Sequence, residues 1–235
     1  AFLLSARVAG KLAGSHYLKL GNIAMNAGDS PSAAAYLAKA DGMRPFHTDA
    51  ILVHYYAGTT LRNSGRYAEA AGAFSRAIAV FRYFPEGFRE RGVALGGVAE
   101  ELRKDDPGGS AMAMESAARD LSAAVRLNPK DAASQFHLGR VLHSLGRFPE
   151  AVPPLRAAVR LAGNRIPDAR YALGLCLLET GRAAEAVTAA VSASGATAAG
   201  ARWNHESVVV SSIFLITSAR DSTGALRRVS LLGRR

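Results

Sequence analysis

Apolar residues in this chain recur three and four positions apart, in paired runs separated by short polar turns. That spacing places one buried stripe along each of two consecutive helices. One pair of runs reads Leu138, Leu142, Phe148, Ala151, Leu155 and Ala158, and the next reads Leu173, Leu177, Ala186 and Ala190. Earlier pairs read Leu20, Ala24, Ala33, Leu37 and Ala40, then Ala57, Leu61, Tyr67, Ala70, Phe74 and Ala77. The punctuation repeats as well. Gly65-Arg66-Tyr67-Ala68-Glu69-Ala70 returns as Gly146-Arg147-Phe148-Pro149-Glu150-Ala151 and as Gly181-Arg182-Ala183-Ala184-Glu185-Ala186. A fixed distance upstream of the three copies stand Gly58, Gly139 and Gly174. The pattern predicts one helix-turn-helix unit used several times, stacked so that neighbours bury each other's apolar stripes.

The two glycines of each unit have different physical roles. Gly28, Gly65, Gly146 and Gly181 fall where the first helix ends, a position that takes left-handed backbone and so favours glycine. Gly21, Gly58, Gly139 and Gly174 fall mid-helix, where glycine costs about 1 kcal/mol against alanine. That cost is offset where a second helix approaches closely. Ala33, Ala70, Ala151 and Ala186 are the small residues expected on that facing helix, and Pro45 and Pro129 are expected to end second helices.

A Leu-Gly step, then an aromatic or apolar residue, then Ala, Phe or Leu, Ala and Pro at these offsets resembles the tetratricopeptide repeat, a helix-turn-helix of about 34 residues. Leu121, Ala124, Asn128-Pro129, Phe136 and Leu138-Gly139 carry the likeness most densely. The resemblance implies an all-α fold: a right-handed α-solenoid of antiparallel helix pairs with terminal capping helices. Five units span residues 14–200, at about 14–47, 51–84, 85–131, 132–165 and 167–200. Residues 1–13 are expected to form an N-terminal capping helix or the tail of an upstream segment, and 201–235 a C-terminal cap and basic tail.

Two units depart from the pattern. The distance from Gly65 to Gly146 exceeds two 34-residue periods by 13 residues, all of it between Gly92 and Ala117 in the third unit. These residues predict two lengthened helices, about 86–104 and 110–127, joined by a projecting turn with Ser110 as N-cap. In the fourth unit Pro153-Pro154 falls inside the second helix and is expected to kink it or delay its start. Beyond Gly195 the pattern fades. Trp203–Ala219, with its apolar Val208–Thr217 core, and Ala225–Leu232 are expected to form the terminal helices.

Composition narrows the function. A formal net charge of +10 favours anionic partners. The one cysteine, Cys176, excludes an internal disulfide framework and lies in an apolar run, as a buried small hydrophobe would. The six histidines form no metal-ligand frame, and neither a phosphate loop nor a nucleophile elbow is present, so no catalytic site, metal or cofactor is expected. Glu69, Glu150 and Glu185 recur near helix N-termini, where negative charge is favourable, and read as structural.

What remains is binding. In arrays of the family it resembles, first helices line a concave groove. Asn22, Tyr55, Thr59, Arg62, Arg89, Phe136, Arg140, His143 and Tyr171 take those positions here. The structural partners of this groove are Gly21, Gly58, Gly92, Gly139 and Gly174 with Ala33, Ala70, Ala117, Ala151 and Ala186. Aromatic faces and Arg forks together suit a protein or peptide partner of acidic character. The clamp with which one subclass grips chaperone C-termini does not match: its lysine position holds Leu18, its second asparagine position Tyr56, and its later basic positions Glu86 and Glu90. Nucleic acid is the weaker partner, since no unit repeats a base-reading pair, and the termini offer peripheral membrane contact. A second reading makes the chain a regulatory or anchoring domain of a larger, membrane-associated bacterial protein, suggested by its start at Ala1 rather than Met and by Ala1–Leu4 and Val208–Thr217. A third makes it an RNA-binding helical repeat.

Overall fold

The computed structural model describes residues 2–43, 46–163 and 165–191. Pro45 and the expected helices beyond residue 200 lie outside them. The described residues form ten helices and no strand. They fall into two compact units, residues 1–130 and 131–235.

The first unit holds α1 (Phe2–Asn26), α2 (Ser30–Gly42), α3 (His47–Asn63), α4 (Tyr67–Val80), α5 (Pro85–Leu102) and α6 (Pro107–Leu127). Each helix packs on the next through a short turn, so neighbours run antiparallel, and α1, α3 and α5 also touch side by side. α1 runs unbroken from Phe2 through Gly14. The second unit holds α7 (Ala132–Ser144), α8 (Phe148–Ala162), α9 (Pro167–Glu179) and α10 (Ala183–Val191), with α7 against α9 and each helix against the next.

The glycines show how a pair closes. Gly28, Gly65, Gly146 and Gly181 have φ of 77°, 77°, 71° and 75°, the left-handed backbone that ends each first helix. The mid-helix glycines do something more specific than admit a facing alanine. A Cβ on Gly21 would lie 2.8 Å from Leu37 Cγ, one on Gly58 would lie 2.7 Å from the Phe74 ring, and one on Gly139 would overlap Leu155 Cγ. In each case the occupant of the notch is the large residue one turn beyond the facing alanine. Ala33, Ala70, Ala117, Ala151 and Ala186 are themselves fully buried, and so are Phe74, Leu121 and Leu155. Core apolar burial at about 25 cal/mol per Å² therefore concentrates on one Leu or Phe per pair, seated on bare backbone.

The third pair carries the extra residues, and its details correct the expectation. α6 begins at Pro107, three residues before Ser110. Asp106 is the N-cap, its carboxylate accepting from the Gly109 N–H at 2.9 Å, with Pro107 set at the first helical position. Ser110 instead donates to the Ala99 carbonyl at 2.7 Å and ties α6 to α5. The turn between the helices is correspondingly short. α6 has 21 residues against the 14 of α4. The ring of Tyr67 lies on Gly97, where a Cβ would come within 2.5 Å of it.

The proline pair does not delay its helix. α8 starts at Phe148, with no delay, and continues through Pro153 and Pro154 to Ala162. Missing N–H groups at 153 and 154 leave the carbonyls of Pro149 and Glu150 without their helical donors. Pro149 and Glu150 lie on the exposed first turn, where water serves those oxygens.

Candidate functional site

The inner helices of the first unit are α1, α3 and α5. Asn22 sits half-buried on α1, its side-chain oxygen facing the Asn26 amide at 3.5 Å. On α3, Tyr55 packs its ring against Phe84 at 5.4 Å and against Phe74 at 5.8 Å. Burial, with the Glu90 carboxylate nearby, pushes its hydroxyl above the usual phenol range. Thr59 turns its hydroxyl back onto the Tyr55 carbonyl at 3.0 Å. Arg62 and Arg89 converge on one carboxylate: Glu90 Oε2 lies 3.3 Å from Arg62 Nε, and Glu90 Oε1 lies 3.1 Å from Arg89 Nε. The Arg62 contact is within ion-pair range without forming an aligned hydrogen bond. This face supplies its own acid.

In the second unit the inner helices are α7 and α9. Here Phe136, Arg140 and His143 from α7 meet Tyr171 from α9 around one open cavity of about 360 Å³. Ser144, Asp168, Ala172 and Leu175 complete its walls. Phe136 is buried, and Arg140 lies over its ring with the guanidinium carbon 5.6 Å from the centroid. His143 stands edge-on to Phe148 at 5.3 Å. Tyr171 is exposed. Among the described residues no carboxylate comes within ion-pair distance of Arg140, in contrast to Arg62 and Arg89. The cavity thus joins an aromatic and aliphatic wall to two polar side chains, Ser144 and Asp168, and to one guanidinium that no carboxylate pairs among the described residues. The register that brings these groups together is set at the helix start, where Asp131 caps α7 through the N–H groups of Ala133 and Ser134.

Three residues needed more than the repeat pattern. Glu90 follows Arg89 directly, and nothing in the periodicity announces that it faces Arg62. Arg91 and Asp120 form a two-pronged ion pair, Nε to Oδ2 at 2.6 Å and Nη2 to Oδ1 at 2.7 Å, while Arg91 Nη1 also donates to Ser75 at 3.1 Å. A signal for this pair exists. The position before the mid-helix glycine is Leu20, Ala57, Leu138 or Leu173 in the other units and Arg91 here. The position before the notch-filling residue is Tyr36, Ala73 or Pro154 elsewhere and Asp120 here. Opposite charges replace apolar residues in one unit only.

Within each repeated Gly-Arg-x-x-Glu the arginine clamps the glutamate, a pairing that helical periodicity does not show. Arg66 holds Glu69 through two bonds of 2.6 and 2.5 Å, Arg147 holds Glu150 at 2.8 and 2.5 Å, and Arg182 holds Glu185 at 2.7 and 2.8 Å. Those hydrogen bonds keep all three carboxylates below the usual range. Cys176 is buried, and burial with Glu179 pushes its thiol up to about 11, so it stays protonated and unreactive at neutral pH. Among the described residues no three His, Cys, Asp or Glu gather as a metal site requires, and no helix is long and apolar enough to cross a membrane.

A sequence model of the tetratricopeptide repeat matches residues 114–166 and 155–201. Residues 114–201 therefore carry tetratricopeptide repeats. Solved structures extend the fold over most of its length. The thermophilic tetratricopeptide-repeat protein TTC0263 of Thermus thermophilus is 23% identical, with 86% of this chain and 100% of that one aligned at a TM-score of 0.60. MamA is 19% identical over 82% of this chain and 98% of its own at 0.64. YrrB, described as a tetratricopeptide-repeat protein with an unusual peptide-binding site, is 22% identical over 75% and 82% at 0.58. No curated protein sequence matches. The tetratricopeptide repeat is a protein-interaction scaffold, and about five copies account for the helices described.

Proposed function

We propose that this chain is a non-catalytic scaffold that docks an acidic peptide or helix on the α7–α9 face, with Arg140 receiving a carboxylate and Phe136, His143 and Tyr171 receiving the apolar flank. The observation that carries the reading is the contrast between cations. Arg62 and Arg89 already share Glu90, whereas Arg140 is exposed over an aromatic ring beside a cavity of peptide-side-chain size. A guanidinium held by an aromatic face needs little reorganisation to take a carboxylate, and hydrogen bonds to charged groups are the stronger ones. The described peptide-binding site of YrrB, a structural neighbour, agrees in kind. Asn22, Tyr55, Thr59, Arg62 and Arg89 then serve as a neighbouring face whose charge is internally balanced.

The test is fluorescence anisotropy with a panel of acidic and basic peptides of matched apolar content. The expected result is a preference for acidic members that Arg140→Glu reduces at least tenfold, in line with the loss of about 1.5–3 kcal/mol for one charged hydrogen bond. Arg62→Gln, at a cation already compensated, leaves the preference in place. Unchanged acidic-peptide binding in Arg140→Glu, with helicity preserved, would sink the proposal.

A further inference from the structure

Because neighbouring helices alternate in direction, the α2–α3 and α4–α5 connections and the C-terminal end of α6 share one edge of the first unit. The α1–α2, α3–α4 and α5–α6 turns share the other. The two edges differ in what they expose. Large apolar side chains gather on the first: Met43 and Phe46 between α2 and α3, Phe81 and Tyr83 between α4 and α5, and Leu127 at the end of α6. Tyr83 is 73% exposed and Phe81 44%. Val8 and Leu12 extend the same margin along α1, whose Gly10 lies beside the Met43 carbonyl, and Leu52 continues it near the start of α3. Among the described residues of this unit, Ile23 and Met112 are the other exposed large apolar side chains.

Cations stand between these residues. Lys11 sits over the Phe46 ring at 5.3 Å. Arg82 separates Phe81 from Tyr83, and Arg126 and Lys130 bracket the end of α6. None of the four has a carboxylate within ion-pair distance among the described residues. The acids on this edge are few and partly engaged: Asp49 accepts from Ser15, Asp41 faces His54 at 3.8 Å, and Glu86 is half-buried. The opposite edge carries Asp29, Glu69, Glu101, Asp105 and Asp106, and its Arg66 and Arg103 are each paired to a glutamate.

We propose that the loop edge of the first unit, built on Phe46, Phe81, Arg82 and Tyr83, is a peripheral docking surface for an anionic lipid bilayer. Exposed aromatics interleaved with uncompensated cations fit a bilayer surface on two counts. Tyr places its ring at the headgroup level, Phe buries its ring at the boundary with the acyl chains, and Lys and Arg keep their charge among the anionic headgroups while their stems lie along apolar surface. A protein partner would have to cover three separate loops. A lipid surface is flat and fluid, and needs only that the loops share an edge, which the alternation of helix direction ensures. The chain's overall positive charge steers it to such a surface from a distance.

The full chain is to be tested by co-sedimentation with vesicles of phosphatidylcholine plus phosphatidylglycerol, and with vesicles of phosphatidylcholine alone. The expected result is binding to the first and little to the second. Arg82→Glu with Tyr83→Ser should weaken binding about tenfold, since each cation near an anionic surface contributes roughly fivefold. Lys104→Glu, on the opposite edge, should change binding less than about twofold on the same scale. Circular dichroism of each variant checks that both loop residues, which lie outside the core, leave the helices intact. No binding of wild type to the anionic vesicles overturns the proposal. An edge variant that binds like wild type overturns it as well and assigns any lipid affinity to other parts of the chain. Equal loss in the Lys104 variant would show net charge alone at work, against a docking edge. A concentration-dependent dimer that the edge variant dissolves would show that a second copy covers the edge, and would likewise overturn the lipid assignment.

Discussion

Gly92 and Gly96 lie one turn apart on α5 and differ in everything but identity. A Cβ on Gly92 would stand 2.7 Å from Leu121 Cγ and 3.2 Å from the Ala117 carbonyl, a backbone atom that cannot swing aside. A Cβ on Gly96 would meet nothing within 4 Å. Gly92→Ala should therefore destabilise by about 1–3 kcal/mol through overpacking, despite the better helix propensity of alanine. Gly96→Ala should stabilise by about 0.5–1 kcal/mol for want of any such clash. Urea unfolding of the two variants checks the pair of signs, and equal signs would refute the notch. A spacing argument on the sequence locates Gly21, Gly58, Gly92 and Gly139 and their need for a close neighbour. It does not say which neighbour, because Ala33 and Leu37 lie on the same stripe and only the tilt of the second helix decides which one fills the gap.

At the level of elements, α4, α5 and α6 are held by a polar contact where the other pairs use apolar packing. Arg91 lies over the Phe88 ring, binds Asp120 in two places and reaches Ser75. Asp120 is buried, so removing it strands a desolvated guanidinium. Asp120→Ala is expected to cost about 3 kcal/mol, and Arg91→Leu with Asp120→Ala, which leaves both positions uncharged as they are in the other units, to recover most of it. A double variant no more stable than the single, measured by urea midpoints at neutral pH, would mean that the ion pair does more than replace apolar contact. Helix order, the repeat glycines and the lengthened third pair were legible in the sequence because each is a matter of period. The cap of α6 was not. Asp106-Pro107 and Ser110 both offer plausible starts, and the choice depends on the Ala99 carbonyl, which belongs to another helix. The uncompensated state of Arg140 was equally hidden, since Arg62, Arg89 and Arg140 look alike until Glu90 is seen to serve the first two.

At the scale of the whole molecule, contacts among the described residues of each unit run between successive helices and between inner helices of successive pairs, and stop there. Stability should accordingly be local. Leu37→Ala, which empties the notch over Gly21, should cost about 2–5 kcal/mol and speed amide exchange in α1, α2 and α3 while α5 and α6 keep their protection. Exchange that quickens uniformly throughout the first unit would show a single cooperative block instead. The same locality gives the lengthened third pair a wider meaning. α6 is seven residues longer than α4 (21 against 14), which is close to two complete turns at 3.6 residues each. Growth by whole turns returns the apolar stripe to its original azimuth, so Ala117, Leu121 and Ala124 remain aimed at α5 as if nothing had been added. The growth is carried by one partner of the hairpin: α5, with 18 residues, exceeds α3 by a single residue, whereas α6 gains two whole turns and keeps its stripe in phase.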